Sequence, residues 1–222
     1  KNPATTSFAR LAGHQPHEII FLAGSTQHPE ESLAINTFCT LQNEVPHLKL
    51  VLVPRHPDRF EEVARLLNAK QLLWQRRSVL QDAETPQSEK RILLVDTVGE
   101  LSAWWGRADI GFVGGSLGSR GGQNMIEPAA YGVAVCFGPH THNFRDIVTA
   151  LKVADAATVI ENEKELTDFV RRCLTDSHYR EAVGKRAATL VTSSRGATDQ
   201  TVTYLLDAVG HSASLLPKPA AA

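Results

Sequence analysis

The chain has 222 residues, 42% hydrophobic and 21% charged, with 23 Lys and Arg against 24 Asp and Glu. That length and composition suit one large α/β domain or two small ones with a proper core. The formal net charge of -1 argues against a nucleic-acid module and offers no polybasic anchor, and no apolar run approaches the roughly 18 residues of a membrane span.

The chain opens "KNPATTSFARLAG" without an initiating Met or a signal-peptide pattern. Residues 1–17 read as a lead-in from an upstream half. Glu18 to Leu22 ("EIIFL") is a short apolar strand ending in "AGST". Helical spacing of Leu33, Phe38 and Leu41 predicts a helix from Pro29 to about Glu44, broken by Pro46. Leu48 to Val53 is a buried-type strand, and "PRHP" turns the corner. Asp58 and Glu61 stand in capping-box spacing before a helix through about Ala69. Gln71 to Gln75 is a further strand candidate, and residues 78–90 read as a polar loop. Ile92 to Asp96 predicts a strand, and "TVGELSAWWGRAD" a short helix.

Ile110 to Val113 then leads into "GGSLGSRGGQNMIEPAAYG", residues 114–132. A helix around Pro128 to Tyr131 follows, then a strand from Val133 to Phe137 and the loop "GPHTHNF". A helix from about Arg145 and a strand near Ala157 to Ile160 come next. Two helical segments close the pattern, Glu163 to Leu174 and Ser177 to Val209. Residues 211–222 read as a disordered tail.

Strands separated by helices argue for a Rossmann-like, doubly wound parallel sheet with helices on both faces, spanning residues 18–210. Such sheets bind ligands at the carboxyl ends of their strands. "AGST", "PRHP", "DTVGE", "GGSLGSRGG" and "GPHTHNF" each follow a strand, so all five are expected on one edge. The glycine run matches neither a Walker loop nor a dinucleotide fingerprint. Its density implies close approach of something to backbone. Exposed N–H groups there would suit an anion, with Arg120 and Arg55 as candidate cations. Glu127 fits two descriptions equally: an acceptor for adjacent sugar hydroxyls, or a solvated acid satisfying a helix start. His140 and His142 read as loop histidines rather than metal ligands, and His56 as loop packing. Trp104 and Trp105 read as core. Ser25 and Thr26 either face the ligand or cap the helix behind them. Cys39, Cys136 and Cys173 read as buried free thiols of a reducing compartment.

The run "FVGGSLGSRGGQNMIEPAAYGVAVCFGPHTHNF" resembles the signature of the 3-deoxy-D-manno-octulosonic acid (Kdo) transferases, G-G-S-L-x-x-x-G-G-H-N-x-x-E-P-A-x-x-G-x-P-V-x-x-G-P-x-x-x-N-F. "AGSTQHPEE" is similar to that family's A-S-T-H-x-G-E-E, "DTVGELSAWW" to D-T-x-G-E-L, and "LVLVPRHPDRF" continues the likeness. The four motifs stand in order over residues 18–148. The resemblance implies the C-terminal half of a GT-B enzyme that moves Kdo from CMP-Kdo to a lipid A precursor in lipopolysaccharide synthesis. The full-length protein would work at the cytoplasmic face of the inner membrane.

Carried over by position, Pro54 and Arg55 match a nucleotide-contacting pair, and Val98, Gly99 and Glu100 match a second contact. Asn124, Met125, Ile126 and Glu127 match the Asn-x-x-Glu block, with Glu127 on the CMP ribose. Gly114, Gly115, Ser116, Arg120, Gly121, Gly122 and Gln123 complete the substrate-binding set. Gln123 replaces the family's His, and Ala134 its Pro. The acceptor surface and the acidic general base are implied in an upstream half. The chain alone is therefore expected to be soluble, to bind CMP weakly and to transfer nothing. No metal or cofactor is implied. A GT-B domain using a UDP-sugar and a non-catalytic nucleotide-binding domain remain alternatives.

Overall fold

A computed structural model describes residues 2–80 and 90–193. Its sheet has seven strands: β1 (Ile19–Thr26), β2 (Leu48–Pro54), β3 (Trp74–Arg76), β4 (Ile92–Leu94), β5 (Ile110–Val113), β6 (Ala134–Phe137) and β7 (Ala157–Val159). Their order is β3-β4-β2-β1-β5-β6-β7, and every pairing is parallel. The chain builds outward from β1 on one side, then crosses back to lay β5 against β1's other side. The β1/β5 seam is thus the topological switch point, where such sheets open a crevice.

Among the described residues, eight α-helices cover the two faces: α1 (Ala4–Leu11), α2 (Glu30–Leu41), α3 (Phe60–Ala69), α4 (Leu101–Trp105), α5 (Ile126–Tyr131), α6 (Arg145–Val153), α7 (Glu163–Thr175) and α8 (Ser177–Ser193). Successive strand side chains point to opposite faces, so near-continuous apolar strands feed two cores. Phe21, Leu50, Leu52 and Phe112 pack with Phe38 of α2, Leu67 of α3 and Phe169 of α7. Ile20, Leu22, Val51, Val113 and Phe137 pack with Trp104 and Trp105 of α4 and Leu151 of α6. Both tryptophans are core, as the sequence pattern indicated. Trp105 fits a slot left by missing side chains: a Cβ on Gly24 or Gly111 would stand 2.5 or 2.9 Å from its ring.

Several boundaries differ from the sequence pattern. The strand candidate at Gln71 begins only at Trp74, because Gln71 adopts φ 54° and closes the turn after α3. The Asp58/Glu61 capping box does not form: Asp58 lies in a 3-10 turn ahead of α3, with no side-chain cap. Glu61 instead receives two hydrogen bonds from Arg76, at 2.6 and 2.9 Å. The lead-in carries α1, whose Phe8 ring packs on Trp104 at 5.2 Å, while Thr5 donates to the Ala103 carbonyl.

The loop at residues 81–89, the helix expected between Ser193 and Val209, and the 211–222 tail lie outside the described residues. The three cysteines are free; Cys136 and Cys173 are buried, and Cys39 is only half-buried. Burial pushes the Cys136 thiol well above its ordinary pKa and that of Cys173 up to about 12, so neither is a reactive thiolate.

Candidate functional site

The segments following β1, β2, β4, β5 and β6 open together on the carboxyl edge of the sheet, because all strands are parallel. At its centre, residues 114–122 leave β5 beside the end of β1. Beneath this loop lies Glu30, 1% exposed at the start of α2. Its Oε2 accepts from the backbone N–H of Gln27 at 2.9 Å and Gly115 at 2.7 Å. Its Oε1 accepts from Ser116 at 2.9 Å and Leu117 at 3.0 Å. The anion that the glycine-rich backbone attracts is therefore internal, and the expectation that these N–H groups stay open to a ligand is corrected for Gly115, Ser116 and Leu117. Charge-assisted bonds of this kind are roughly twice as strong as neutral ones, which is how a buried carboxylate is accommodated.

Glu31, also 1% exposed, turns the other way. It takes hydrogen bonds from Arg59 at 3.3 and 2.9 Å. Burial works against the Arg59 charge, and the bond and charge of Glu31 outweigh it, raising the guanidinium pKa. The two acids thus lock the β1 segment to the glycine loop on one side and to the segment after β2 on the other.

The segment after β6 straps the loop from above. Ser116 Oγ donates to the Val113 carbonyl at 2.6 Å and accepts from Gly138 N–H at 2.8 Å. His140 N–H bonds the Ser116 carbonyl, and Asn143 bonds the carbonyls of Gly121 and, through Nδ2, Arg120. Gly121 and Gly122 both take positive φ, 85° and 84°.

The residues singled out from sequence fall into distinct places. Pro54, Arg55, Val98 and Gly99 line one small cleft of about 70 Å³, with Ser25 and Thr97 on its wall. Among the described residues nothing engages the Arg55 side chain, and Val98 is 79% exposed. Thr97 Oγ1 and Thr26 Oγ1 are buried without partners, and Ser25 is held at φ 55°. Neither Ser25 nor Thr26 caps α2, whose first residue is preceded by Pro29 with no side-chain cap. Arg120, Asn124 and Ile126 are exposed, while Gln123 and Glu127 are half-buried.

Among the described residues no hydrogen bond occupies the Glu127 carboxylate, and Asn124 Oδ1 accepts from Ile126 N–H at 3.0 Å. Pro128 lies in the first turn of α5, which starts at Ile126.

Other positions face inward. Gly114 and Ser116 are buried, and Met125 is fully buried in the core beneath α5. Glu100 is spent on Arg77 at 2.9 Å and on the Trp104 indole N–H at 3.3 Å. His56, read as packed, is exposed, as are His140 and His142. Among the described residues, no three His, Cys, Asp or Glu gather as a metal site. The sequence reading missed Gln27, Glu30, Glu31 and Asn143. The Glu-Glu pair directly after a strand and its turn was the available signal.

The described residues contain no helix long and apolar enough to cross a membrane. No family model matches the chain. It is 35% identical over 202 residues, 90% of its length, to the 3-deoxy-D-manno-octulosonic acid transferase of Bordetella pertussis, covering 46% of that protein. The Haemophilus influenzae transferase is 35% identical over 187 residues, covering 84% of this chain and 43% of that one. The chain thus spans less than half the length of these curated relatives. Among solved structures it is similar to the C-terminal CMP-Kdo binding domain of WaaA from Acinetobacter baumannii, with a TM-score of 0.76 and 28% identity. That match covers 84% of this chain and 97% of that domain. WaaG, a glycosyltransferase involved in lipopolysaccharide biosynthesis, shares the fold at a TM-score of 0.60 and 15% identity. The sheet has the Rossmann-like fold of the C-terminal half of GT-B glycosyltransferases, and over most of its length the chain is similar to the C-terminal part of the 3-deoxy-D-manno-octulosonic acid transferases.

Proposed function

We propose that this chain is the donor-binding half of a glycosyltransferase that moves Kdo from CMP-Kdo onto a lipid A precursor. The likeness that carries the proposal is the near-complete coverage, 97%, of a domain known to bind CMP-Kdo. The carboxyl edge supplies suitable groups. Among the described residues Arg55 has no side-chain partner beside its cleft, and the Glu127 carboxylate has none at the start of α5. A carboxylate there accepts from two adjacent ribose hydroxyls, a role acids fill in other nucleotide sites.

Transfer breaks the bond between the anomeric carbon and the CMP phosphate, and an acceptor hydroxyl attacks from the opposite face. The proton of that hydroxyl goes to an acidic base contributed by the other half of the enzyme. Charge grows on the departing phosphate, and Arg55 is placed to meet it. The chemistry drawn this way asks for no cofactor. In the full-length enzyme the acceptor brings this edge to the cytoplasmic face of the inner membrane.

Titration calorimetry with CMP, UMP and ADP tests the site. Preferential binding of CMP, lost at least tenfold in Glu127→Ala, is expected. No heat with CMP sinks the donor-site assignment. Equal CMP affinity in Glu127→Ala removes the ribose role alone, and a preference for UMP moves the chain to UDP-sugar chemistry.

A further inference from the structure

The glycine loop has two polar side chains that the framework leaves unspent. A Cβ built on Gly115, which has φ 66°, would stand 3.2 Å from both Cγ and Nε2 of Gln123 and 3.3 Å from Nε2 of Gln27. Both amide nitrogens therefore lie within 3.3 Å of one point above a single backbone residue. Gln27 comes from the end of β1 and Gln123 from the far side of the loop, so they meet across the switch-point seam. Both are half-buried. The backbone of Gln27 is held by Glu30 alone among the described residues, its N–H on the carboxylate and its carbonyl on the Glu30 N–H, and no hydrogen bond engages either side chain among the described residues. Each amide retains two donors and one carbonyl acceptor, and half-buried polar groups in that state are poised for a partner.

The chemistry of that partner follows from what lies beneath. The N–H groups of Gly115, Ser116 and Leu117 are consumed by Glu30. The loop therefore has none of those donors to offer an anion, and the buried negative charge under it repels one. A neutral group with hydroxyls is free of that penalty and uses both the donors and the acceptors of an amide. Of the two cations that would favour a phosphate, Arg55 lies at the separate cleft after β2 and Arg120 is exposed on the loop.

We propose that Gln27 and Gln123 act together as a clamp on hydroxyls of the donor's sugar, distinct from the groups that hold its nucleotide. Both positions are His in the family patterns quoted above, so this chain carries a matched pair of neutral amides there. The inference rests on the donor-site reading and assigns the sugar end of that site. Gly115 is glycine for the same reason: a side chain would occupy the point on which the amides converge.

The test measures the affinities of CMP and CMP-Kdo for the 222-residue chain and for Gln27→Ala, Gln123→Ala and the double variant. The expected result is CMP affinity within twofold of wild type throughout. The advantage of CMP-Kdo over CMP should fall about tenfold in each single variant. The double variant should fall little further, because the pair works as a unit. Gln27→Met and Gln123→Met keep the side-chain length and carry the same expectation should alanine loosen the loop. Equal losses for CMP and CMP-Kdo, or no loss at all, overturn the clamp. A wild type that binds CMP-Kdo no better than CMP overturns the clamp alone, and one that binds neither overturns the donor site and the clamp with it.

Discussion

Glu30 and Gly115 are joined by a 2.7 Å hydrogen bond from backbone N–H to carboxylate across the β1/β5 seam, 85 residues apart in sequence. The same carboxylate holds Gln27, Ser116 and Leu117. In Glu30→Gln one oxygen becomes an NH2 group, which faces N–H donors instead of accepting from them. Whichever way the amide turns, two backbone donors lose their acceptor, one of them buried and the other partly so, at roughly 1–3 kcal/mol each. The variant is expected to lose roughly 2–5 kcal/mol in urea unfolding. A loss under about 1 kcal/mol would mean that the loop is not held this way.

The misreading of this loop shows where sequence reasoning stopped. Short continuous apolar runs between turn signals made the strands legible, because a strand covered on both faces is apolar along its whole length. The parallel order followed from the intervening helices, and with it the shared edge that carries the loops. Glu30 was invisible because an acid at a helix start is explained well enough by the helix dipole. Only the return of β5 to the side of β1 places it under residues 115–117. The ion pair of Glu100 was invisible for a similar reason: its partner Arg77 comes from a segment that no local pattern connects to α4. The burial of the Met125 side chain was likewise not legible, because motif columns do not record which way a side chain points.

The strap over the loop gives a second expectation. A Cβ on Gly138 would fall on the backbone carbonyl of Ser116 and stand 2.7 Å from Leu117 N. Neither neighbour is a side-chain tip that can swing aside. Gly138→Ala should therefore cost roughly 1–3 kcal/mol and weaken CMP binding by displacing the loop. Gly118→Ala is the control, since a Cβ there meets nothing within 4 Å. Its melting temperature and CMP affinity should match wild type, and a Gly138→Ala chain that also matched would remove the strap from the account.

Glu100 separates framework from ligand contact. Its carboxylate bonds Arg77 at 2.9 Å and the Trp104 indole at 3.3 Å, and Arg77 also lies over the Phe8 ring at 4.9 Å. Glu100→Ala frees both partners and loosens the seat of α1. The expected outcome is a stability loss of about 1 kcal/mol, with CMP affinity within twofold. The opposite pattern, unchanged unfolding with lost CMP binding, would assign the carboxylate to the nucleotide.

His14 makes stability depend on pH. Its Nδ1 is buried without a partner, and its ring stands edge-on to Trp104 at 6.2 Å. Burial first, then the charges of Arg107 and Lys49, depress its pKa to about 3 from an ordinary 6.5. Above pH 6.5 the imidazole is neutral in both folded and unfolded chains and stability does not depend on it. Below 6.5 the unfolded chain takes up a proton that the native chain refuses until about pH 3, so stability falls with falling pH. The slope approaches about 1.4 kcal/mol per pH unit, or roughly 2–3 kcal/mol between pH 6.5 and 4.5. Carboxylates elsewhere in the chain also take up protons over this range in any variant, so the comparison must be differential. Urea unfolding of wild type and His14→Gln at pH 7 and pH 4.5 isolates the histidine. The variant should lose less stability on acidification by about that amount. Parallel losses would mean that the native chain protonates His14 near its ordinary pKa, which a buried imidazole facing two cations should not do.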